Sequence, residues 1–402
     1  MIKSIWIDNF KSLVDFELEL SQFSCLIGLN GSGKSTVLQA LDFLSQLMQG
    51  DLDGWLEERH WVTADLNSKL TKKSNIDFKI SIDSVWGDIT WSGSINRSTL
   101  RCTKELITHD GDILLSVDDG QCRVGQLSID FIDKENKLFS EPLASSFLNS
   151  IEYQNSFIYF PIVFNYQGSI LSQLKDKQTN VLLQELKQSI LQIRSLDLLS
   201  PELLRSRTKL SSGKLGLGGQ HLSAFIHESG KEGKDKLKHL LGDKYSQLES
   251  IETRSLRSGW KQLEITEQYN GKTLKSTARH INDGLLRLMA VFAQLEGNDA
   301  FLIFDEIENG INPELIEFLI DHLVKASHQV LVTTHSPMIL NFLDDEVALD
   351  AVIYLYKNQQ GFTRSIKFFD IPSMAKKLQF MGVGEVFVDT DLTVLYQEIE
   401  SL

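Results

Sequence analysis

The sequence has no apolar run long enough to cross a bilayer. A membrane-spanning helix needs about 18 consecutive apolar residues, and here the longest apolar runs are interrupted by charged residues. Residues 1–8 alternate between apolar and polar side chains, so they lack the apolar core and cleavage site of a signal peptide. We therefore expect neither an integral membrane protein nor a signal peptide, and we expect no membrane partner.

Cysteine is also scarce. The three cysteines are Cys25, Cys102 and Cys122. An odd number without a Cys-x-x-Cys spacing argues against both a disulfide framework and a structural zinc site. Reduced thiols of this kind are typical of the cytoplasm, which is where we expect the protein to act.

Positive charge is in deficit across the 402 residues. The sequence has 40 lysines and arginines against 54 acidic residues, a formal net charge of -14. The field of the whole molecule therefore repels nucleic acid and acidic membranes unless basic groups cluster locally. With 42% hydrophobic residues, the chain is nevertheless long and apolar enough to fold around one large or two smaller cores.

A phosphate-binding motif stands near the N-terminus. Residues 28–35 read Gly-Leu-Asn-Gly-Ser-Gly-Lys-Ser, which matches the Walker A pattern G-x-x-x-x-G-K-[ST]. An apolar strand-like segment precedes it and a helical segment at 34–48 follows it. In such a loop the amides hold the phosphates, the lysine reaches the outer ones and the serine hydroxyl binds Mg²⁺. We predict that ATP is bound by the following residues, with Lys34 also catalytic: Asn30, Gly31, Ser32, Gly33, Lys34, Ser35 and Thr36.

Two carboxylates follow an apolar segment at 301–304, as in a Walker B motif. Burying Asp305 and Glu306 side by side at a strand end costs several kcal/mol unless a cation compensates. Taken alone, the segment is more simply an ordinary acidic strand end. Together with the phosphate loop, it predicts that Asp305 acts beside Ser35 in a Mg²⁺ site. Glu306 is then the candidate base that orients or deprotonates the attacking water.

Taken together, five segments resemble ABC-type ATPases of the RecF, SMC and OLD branch. They are residues 7–13, 28–36, 282–284, 305–310 and 333–337. Within that branch the chain looks most like the short "predicted ATPase" proteins of anti-phage defence loci, such as the ATPase components of PARIS- or Septu-like systems.

The resemblance implies three further assignments. Asn282, Asp283 and Gly284 occupy the place of the ABC signature and bind the γ-phosphate held by a partner subunit, for which a helix N-terminus is physically suited. His335 resembles the switch histidine that contacts the γ-phosphate. Gln167 is the candidate for the Mg²⁺-sensing glutamine.

Two details qualify the signature. Residues 217–220 (Leu-Gly-Gly-Gln) are closer to a transporter signature, but they lie too far upstream of Asp305, whereas Gly284 precedes it by about one helix, a turn and a strand. The family usually has serine where Asn282 stands. Asparagine is an equally good helix cap, so we expect binding to persist and hydrolysis to be slow.

The distribution of patterns predicts an α/β fold: a P-loop NTPase with an ABC-type head and a helical insertion. Short alternating segments between 76 and 127 predict antiparallel strands in a mixed β lobe. Helical spacing between about 170 and 260 predicts the insertion, and apolar strands between helices after 276 predict a parallel sheet flanked by helices. The predicted domains are 1–168 (Walker A and β lobe), 169–275 (helical insertion) and 276–402 (signature, Walker B and switch histidine).

We therefore predict an ATPase that works as a nucleotide-driven switch or scaffold. ATP that contacts residues of two subunits favours a closed homodimer or higher homo-oligomer. The resemblance implies the sensor component of an anti-phage system that controls a separate effector, a nuclease or a toxin.

The alternative is a RecF-like ATPase that binds DNA in repair. It would use two basic clusters, which can equally be solvated helix faces: Arg205, Arg207 and Lys209, and Arg254, Arg257 and Lys261. The ATPase of a membrane transporter is disfavoured. Residues 389–391 imitate the D-x-D of a Toprim nuclease, but no glutamate stands at the spacing that such a nuclease needs, so we expect no metal-dependent cleavage by this chain.

Overall fold

The computed structural model describes residues 1–118, 120–125, 152–154, 157–175, 179–196, 199–297 and 299–400, which form a mixed α/β fold. The strands are β1 (Ile2–Asp8), β2 (Phe16–Glu19), β3 (Phe23–Ile27), β4 (Asn75–Ser84), β5 (Gly87–Asn96), β6 (Arg101–His109), β7 (Asp112–Asp118), β8 (Gln121–Gly125), β9 (Glu152–Gln154), β10 (Phe157–Pro161), β11 (Ile193–Leu196), β12 (Leu248–Ser255), β13 (Lys261–Tyr269), β14 (Lys272–Thr277), β15 (Phe301–Phe304), β16 (Gln329–Thr333), β17 (Val352–Lys357) and β18 (Thr363–Lys367). The α-helices are α1 (Lys34–Gln49), α2 (Leu52–Glu58), α3 (Val181–Leu191), α4 (Pro201–Leu204), α5 (Leu222–Glu228), α6 (Gly230–Gly242), α7 (Asp283–Leu295), α8 (Pro313–Val324), α9 (Pro337–Asn341), α10 (Asp345–Ala351), α11 (Pro372–Leu378), α12 (Val383–Val388) and α13 (Leu392–Ile399).

The chain divides into two compact units, each built from three separate segments. The first unit comprises Met1–Ser21, Gly28–Ile193 and Tyr354–Ile366. The second comprises Gln22–Ile27, Arg194–Ile353 and Lys367–Leu402. The domain boundaries predicted after residues 168 and 275 stay a prediction.

The first unit contains a nine-stranded antiparallel sheet in the order β2-β1-β4-β5-β6-β7-β8-β10-β9. Its strands alternate between buried and exposed residues, as in β4, where Ile76, Phe78 and Ile80 are buried. On the neighbouring strand β5, Trp91 is paired with Ile80 and is fully buried. The alternation therefore confirms the antiparallel strands expected between residues 76 and 127.

Helix α1 of the first unit begins directly at Lys34 and ends before Gly50. Gly50 has a φ of 81° and its N–H donates to the carbonyl of Gln46, which is a left-handed C-terminal cap. One face of the helix is apolar and buried, including Val37, Leu41 and Leu44. The helix predicted at 34–48 is therefore confirmed, and burial of this face fixes the orientation of its first turn.

The second unit contains strands in the order β11-β15-β16-β3, of which β15, β16 and β3 are parallel. Phe301 of β15 is paired with Gln329 of β16, and Val330 of β16 with Phe23 of β3. All residues of β3, β15 and β16 are buried, as expected for parallel strands covered on both faces. The parallel sheet predicted from continuous apolar segments is therefore present.

The region predicted as a helical insertion is only partly helical. Helices α3 to α6 lie within it, but β12, β13 and β14 form a three-stranded antiparallel sheet at 248–277. Leu263 and Ile265 alternate with polar residues on β13, and Asn270 and Gly271 both have positive φ in the turn to β14. This turn chemistry specifies a hairpin, so the prediction of helix for this part was wrong.

The C-terminal residues add the adjacent strands β17 and β18 and the helices α11 to α13. The two aspartates of the D-x-D sequence have local contacts: Asp391 caps α13 through the N–H of Thr393, and Asp389 pairs with Lys377 at 3.0 Å. Within the described parts of the chain, no three His, Cys, Asp or Glu side chains are grouped as metal ligands. In the same parts, no helix has the length and apolar character needed to span a bilayer.

Candidate functional site

The phosphate loop lies between β3 and α1, and all three of its glycines have backbone conformations that other residues rarely adopt. Gly28 has a φ of 146° and Gly33 a φ of 114°. A Cβ at Gly28 would lie 2.3 Å from the carbonyl oxygen of Leu355, and a Cβ at Gly33 would lie 2.3 Å from Oγ1 of Thr363. The loop therefore requires glycine at both positions for conformational and steric reasons.

Lys34 lies beneath this loop and is only 7% exposed. Its Nζ donates to the carbonyl oxygens of Gly28, at 2.9 Å, and Leu29, at 3.3 Å. The N–H of Ser32 also donates to the carbonyl of Leu29, at 3.1 Å. The loop thus folds back over a buried ammonium group, which suits the binding of an anion.

The first turn of α1 is open to an anionic ligand. Its N-cap residue, Gly33, supplies no side-chain hydrogen bond, and the first turn contains no acidic residue. Asn30, Gly31 and Ser35 are exposed. Because helix N-terminal amides and the helix dipole attract negative charge, the predicted phosphate-binding residues 30–36 form a fitting site for the phosphates of a nucleotide.

The acidic turn, residues 305–310, follows β15 in the second unit and is positioned by one buried threonine. Thr333 at the end of β16 donates through Oγ1 to Oδ1 of Asp305, at 2.6 Å. The same oxygen accepts a hydrogen bond from the N–H of Glu306, at 2.8 Å. The parallel pairing of β15 and β16 thus fixes both predicted acidic residues through a single hydroxyl.

Glu306 itself has an unusual backbone conformation, with a φ of 46°. Asn309 stabilises the turn, because its N–H donates to the Glu306 carbonyl at 2.9 Å and its Nδ2 to Oε2 of Glu306 at 3.3 Å. A left-handed conformation at a residue other than glycine is uncommon and is concentrated at functional sites. This observation favours a specific role for Glu306 over that of an ordinary strand end.

The predicted signature residues stand at the start of α7. Asn282 is exposed and caps the helix, since its Oδ1 accepts a hydrogen bond from the N–H of Leu285 at 2.8 Å. Asp283 forms an ion pair with Arg205. Arg205 also donates to the carbonyl of Ile281 at 2.8 Å. Arg205 therefore belongs to the signature region, and not to a free basic face as the DNA-binding alternative supposed.

His335 follows β16 and its side chain is exposed. Its backbone N–H donates to Oε1 of Glu308, at 2.9 Å. Oε2 of Glu308 is buried and has no hydrogen-bond partner among the described residues. Glu308 thus connects the acidic turn to the histidine segment, a role that the sequence analysis did not assign.

Gln167 is engaged elsewhere in the first unit. Its Oε1 accepts hydrogen bonds from the N–H groups of Leu52, at 2.8 Å, and Asp53, at 3.1 Å, at the start of α2. Its Nε2 donates to the carboxylate of Asp53. In this structure the side chain caps a helix, and its assignment as a Mg²⁺ ligand stays a prediction.

Sequence reasoning also missed Arg287, a buried residue of α7. It is 7% exposed and lines a small cavity with Asp305, Glu306 and Asn309. Burial lowers the pKa of its guanidinium group, while Asp283 one turn earlier raises it. A Cβ at Gly310 would lie 2.8 Å from its Nε. A charged residue within the apolar helix segment Leu-Leu-Arg-Leu-Met was the signal that could have found it.

The predicted site residues thus fall into two groups. Asn30 to Thr36 and Gln167 belong to the first unit. The second unit brings together Asp305 and Glu306, and it also holds His335 and the start of α7 with Asn282, Asp283 and Gly284. Each group is locally ordered by its own hydrogen bonds.

Two protein-family models match the chain. Residues 1–85 match a family described as "AAA ATPase domain". Residues 143–341 match a family described as "AAA domain, putative AbiEii toxin, Type IV TA system". The comparison with curated proteins gave no match.

Solved structures with the same fold include head domains of SMC proteins. One is an Smc head bound to the C-terminal winged-helix domain of ScpA, with a TM-score of 0.51 and 13% identity over 91% of this chain and 97% of that one. Another is an Smc head with an extended coiled coil, bound to the C-terminal domain of ScpA derived from Pyrococcus furiosus, with a TM-score of 0.52 and 12% identity over 94% and 99%. The chain therefore has the α/β fold of an ABC-type head, and the family matches support an AAA-type ATPase.

Proposed function

We propose that the protein is an ATP-driven switch in which ATP binds the phosphate loop and is hydrolysed with the help of the acidic turn. The observation that carries the proposal is the buried Lys34 under a glycine loop at an uncapped helix start. That arrangement offers phosphates an ammonium group and a helix N-terminus without a side-chain cap, and the loop contributes no carboxylate that would compete for them.

The roles of the individual residues follow from their chemistry. Lys34 and the amides of residues 30–36 bind the phosphates. Glu306, held by Asn309, orients the attacking water or accepts its proton. Mg²⁺, when bound, would neutralise charge on the phosphates, and Ser35, Asp305 and Gln167 are the residues that we propose to hold it.

We further propose that ATP joins two copies of the chain. The start of α7 is exposed at Asn282 and Asp283, so it is accessible to a phosphate bound by another copy. His335, also exposed, is the second residue proposed to contact the γ-phosphate. ATP that contacts both copies binds the closed assembly more tightly than the open one, which is the requirement for a switch.

The output of the switch is proposed to be a separate effector, a nuclease or a toxin, in an anti-phage system. The support is the likeness to defence-associated ATPases together with a family match whose description names a toxin of a toxin–antitoxin system. Plaque counts on cells that carry the whole locus test this step. Loss of protection with Lys34→Ala supports it, and equal protection by both versions contradicts it.

The test of the switch is the mass in solution of Glu306→Gln with and without ATP. Loss of the base should trap ATP, so the variant should convert from monomer to dimer when ATP is added. Ion-exchange chromatography of the nucleotide released from the protein verifies that it is ATP and not ADP. A variant that binds ATP but stays monomeric at all protein concentrations would contradict the proposed closure.

One observation keeps DNA binding as a second candidate. Lys209 lies 5.6 Å from the centre of the Trp260 ring, and both border the turn between β12 and β13. Arg257 is exposed in this turn, and Arg254 is exposed on β12 just before it. Exposed basic residues next to a half-exposed aromatic ring can hold a phosphate and stack a base. This turn is therefore the surface that a RecF-like activity would use.

Charge reversal at the turn tests this candidate. Arg254→Glu with Arg257→Glu should abolish a salt-dependent affinity for labelled duplex DNA measured by fluorescence anisotropy. Charge reversal at Lys104, an exposed lysine of β6 in the first unit, is the control. Equal binding by the unmodified chain and the double variant would remove DNA from the proposal.

A further inference from the structure

A threonine far away in the sequence fills the space next to the phosphate loop. Thr363 begins β18, belongs to the same unit as the loop and is fully buried. Its Oγ1 and Cγ2 atoms occupy the volume beside Gly33 that a Cβ would enter, at 2.3 and 2.9 Å. The absence of a side chain at Gly33 therefore makes room for Thr363 and also permits the turn of the loop.

The hydroxyl of Thr363 makes three contacts whose directions can be deduced. Its Oγ1 lies 2.9 Å from the carbonyl oxygen of Ser32, 2.9 Å from Nζ of Lys357 and 2.8 Å from Oγ of Ser12. A carbonyl only accepts, so the single hydroxyl proton of Thr363 points at Ser32. An ammonium group only donates, so Lys357 donates to Thr363, and Ser12 must donate as well.

These contacts join three parts of the chain at one atom. Ser12 comes from the loop between β1 and β2, Ser32 from the phosphate loop, and Lys357 from the end of β17. The N–H of Thr363 also donates to the carbonyl of Ser12, at 2.9 Å. Because a buried hydroxyl with all its hydrogen bonds made is costly to displace, Thr363 restricts the movement of Ser32.

Lys357 brings a second positive charge close to the loop. Its side chain is half-buried, and burial lowers the pKa of its ammonium group below the ordinary value. Among the described residues no carboxylate forms an ion pair with it. A desolvated cation without a carboxylate partner is stabilised when an anion binds nearby.

We propose that Thr363 is a positioning residue for nucleotide binding, which holds Ser32 of the phosphate loop through its hydroxyl and connects the loop to the amine of Lys357. This inference rests on the proposed function, because it assumes that the loop binds a nucleotide. Thr363 does not touch the nucleotide. It fixes the backbone whose amides do, and Lys357 adds positive charge behind that backbone.

The test replaces the hydroxyl while keeping the shape. Thr363→Val is close in volume but leaves Ser12, Lys357 and the Ser32 carbonyl without their shared partner. We expect its dissociation constant for a fluorescent ATP analogue to rise about tenfold, as the loss of a buried hydrogen bond to charged and polar groups implies. Thr363→Ser should restore most of the affinity.

A second variant keeps the proposal testable if Thr363→Val does not fold. Lys357→Met removes the charge while keeping an apolar stem, and it should weaken ATP binding severalfold and reduce its dependence on salt. Thr103→Val is the matched control, because Thr103 also donates to a carbonyl within the first unit, at 3.1 Å, but lies on β6. It should bind ATP like the unmodified protein.

The outcomes separate this inference from the proposed function. If Thr363→Val has a lower melting temperature but an unchanged ATP dissociation constant, the residue is merely structural and the inference is overturned. Equal affinity in Lys357→Met would overturn the role of the charge. In both cases the proposed function stands as long as Lys34→Ala still abolishes binding, whereas ATP binding that survives Lys34→Ala contradicts the proposed function itself.

Discussion

Helices α1 and α7 differ in whether a side chain caps the amides of their first turn. At α1 the cap is Gly33, which offers no side chain, and the first turn has no acidic residue. At α7 the cap is Asn282, whose side chain satisfies the N–H of Leu285, and Asp283 adds a negative charge. The first helix start has no side-chain cap that competes with an external anion, while the second already has an internal partner.

This difference should determine how tightly each helix start binds an anion. An anion that approaches α1 meets amides and the buried ammonium of Lys34, so it gains hydrogen bonds without displacing any side-chain cap. An anion that approaches α7 meets the carboxylate of Asp283, although Arg205 pairs with that carboxylate and offsets its charge. We therefore expect α1 to provide most of the nucleotide affinity, and α7 to contribute only in an assembly in which the nucleotide is already bound.

The two units also differ in the chemistry that they offer. The described contacts of the phosphate loop involve amides, carbonyls, hydroxyls and lysines, whereas the acidic turn presents two carboxylates. Thr333 holds the Asp305 carboxylate and the backbone N–H of Glu306. Changes in the first unit should thus act mainly on nucleotide binding, and changes at the acidic turn mainly on kcat.

Removal of the buried ammonium group at the start of α1 should have the largest effect on ATP affinity. In Lys34→Ala we expect the ATP dissociation constant to rise about a thousandfold, because several charge-assisted hydrogen bonds to phosphate are lost. Isothermal titration calorimetry measures this, and Lys104→Ala, which removes an exposed lysine of β6, serves as the control. Retained affinity in Lys34→Ala would mean that α1 is not the main anion site.

The second prediction concerns the acidic turn. In Thr333→Val, Asp305 and the N–H of Glu306 lose their shared hydroxyl, and we expect kcat for ATP hydrolysis to fall by roughly a hundredfold while ATP affinity is nearly unchanged. Steady-state phosphate release combined with binding measurements separates the two quantities. As a control, Thr253→Val on β12 removes a hydroxyl that forms a hydrogen bond with His227. It should leave kcat and ATP affinity unchanged. A loss of affinity equal to the loss of kcat would refute the division between the units.

The parts of the candidate site that are contiguous in the chain could be predicted from the sequence. The segment from β3 through the loop to α1 was predictable because its strand, glycines and helix are contiguous, and the spacing of the motif determines its geometry. The same holds for β15 and the carboxylates of Asp305 and Glu306. Contiguous patterns carry their own physical constraints, so they can be interpreted without knowledge of the tertiary fold.

Contacts between distant segments could not be predicted in this way. Nothing in the sequence near Thr363 indicates that its hydroxyl meets Ser32, since strand pairing decides which segments become neighbours. The side chain of Gln167 is likewise bound by α2 through a contact that no local pattern shows. The turn at Asn270 and Gly271 is a different case: its hairpin signal was present, but the helical spacing of the preceding residues was extended too far.

The third prediction concerns the ion pair between Arg205 and Asp283 at the start of α7. Removal of the guanidinium group in Arg205→Ala leaves Asp283 uncompensated at the helix start, so the association of two ATP-bound copies should weaken about tenfold. Analytical ultracentrifugation in the Glu306→Gln background measures the dimer constant. The neighbouring Arg207→Ala should have no effect, since Arg207 is exposed. If both variants dimerise as well as the parent, Asp283 needs no compensation and does not face bound phosphate.

The smallest effect comes from a comparison of two identical caps. Asn180 caps α3 through the N–H of Leu183 at 2.8 Å, just as Asn282 caps α7 through Leu285 at 2.8 Å. Substitution of either asparagine by alanine should therefore lower the free energy of unfolding by about 1 kcal/mol, as is usual for a lost N-cap. Chemical denaturation measures this.

Only Asn282→Ala should also weaken ATP-dependent association, and Asn282→Ser should restore both properties, because serine caps as well and can still reach a phosphate. If Asn180→Ala weakens association to the same extent, the effect comes from lost stability alone. In that case Asn282 would serve only to stabilise α7. The nucleotide would then be contacted by the start of α1 in the first unit and not by the start of α7.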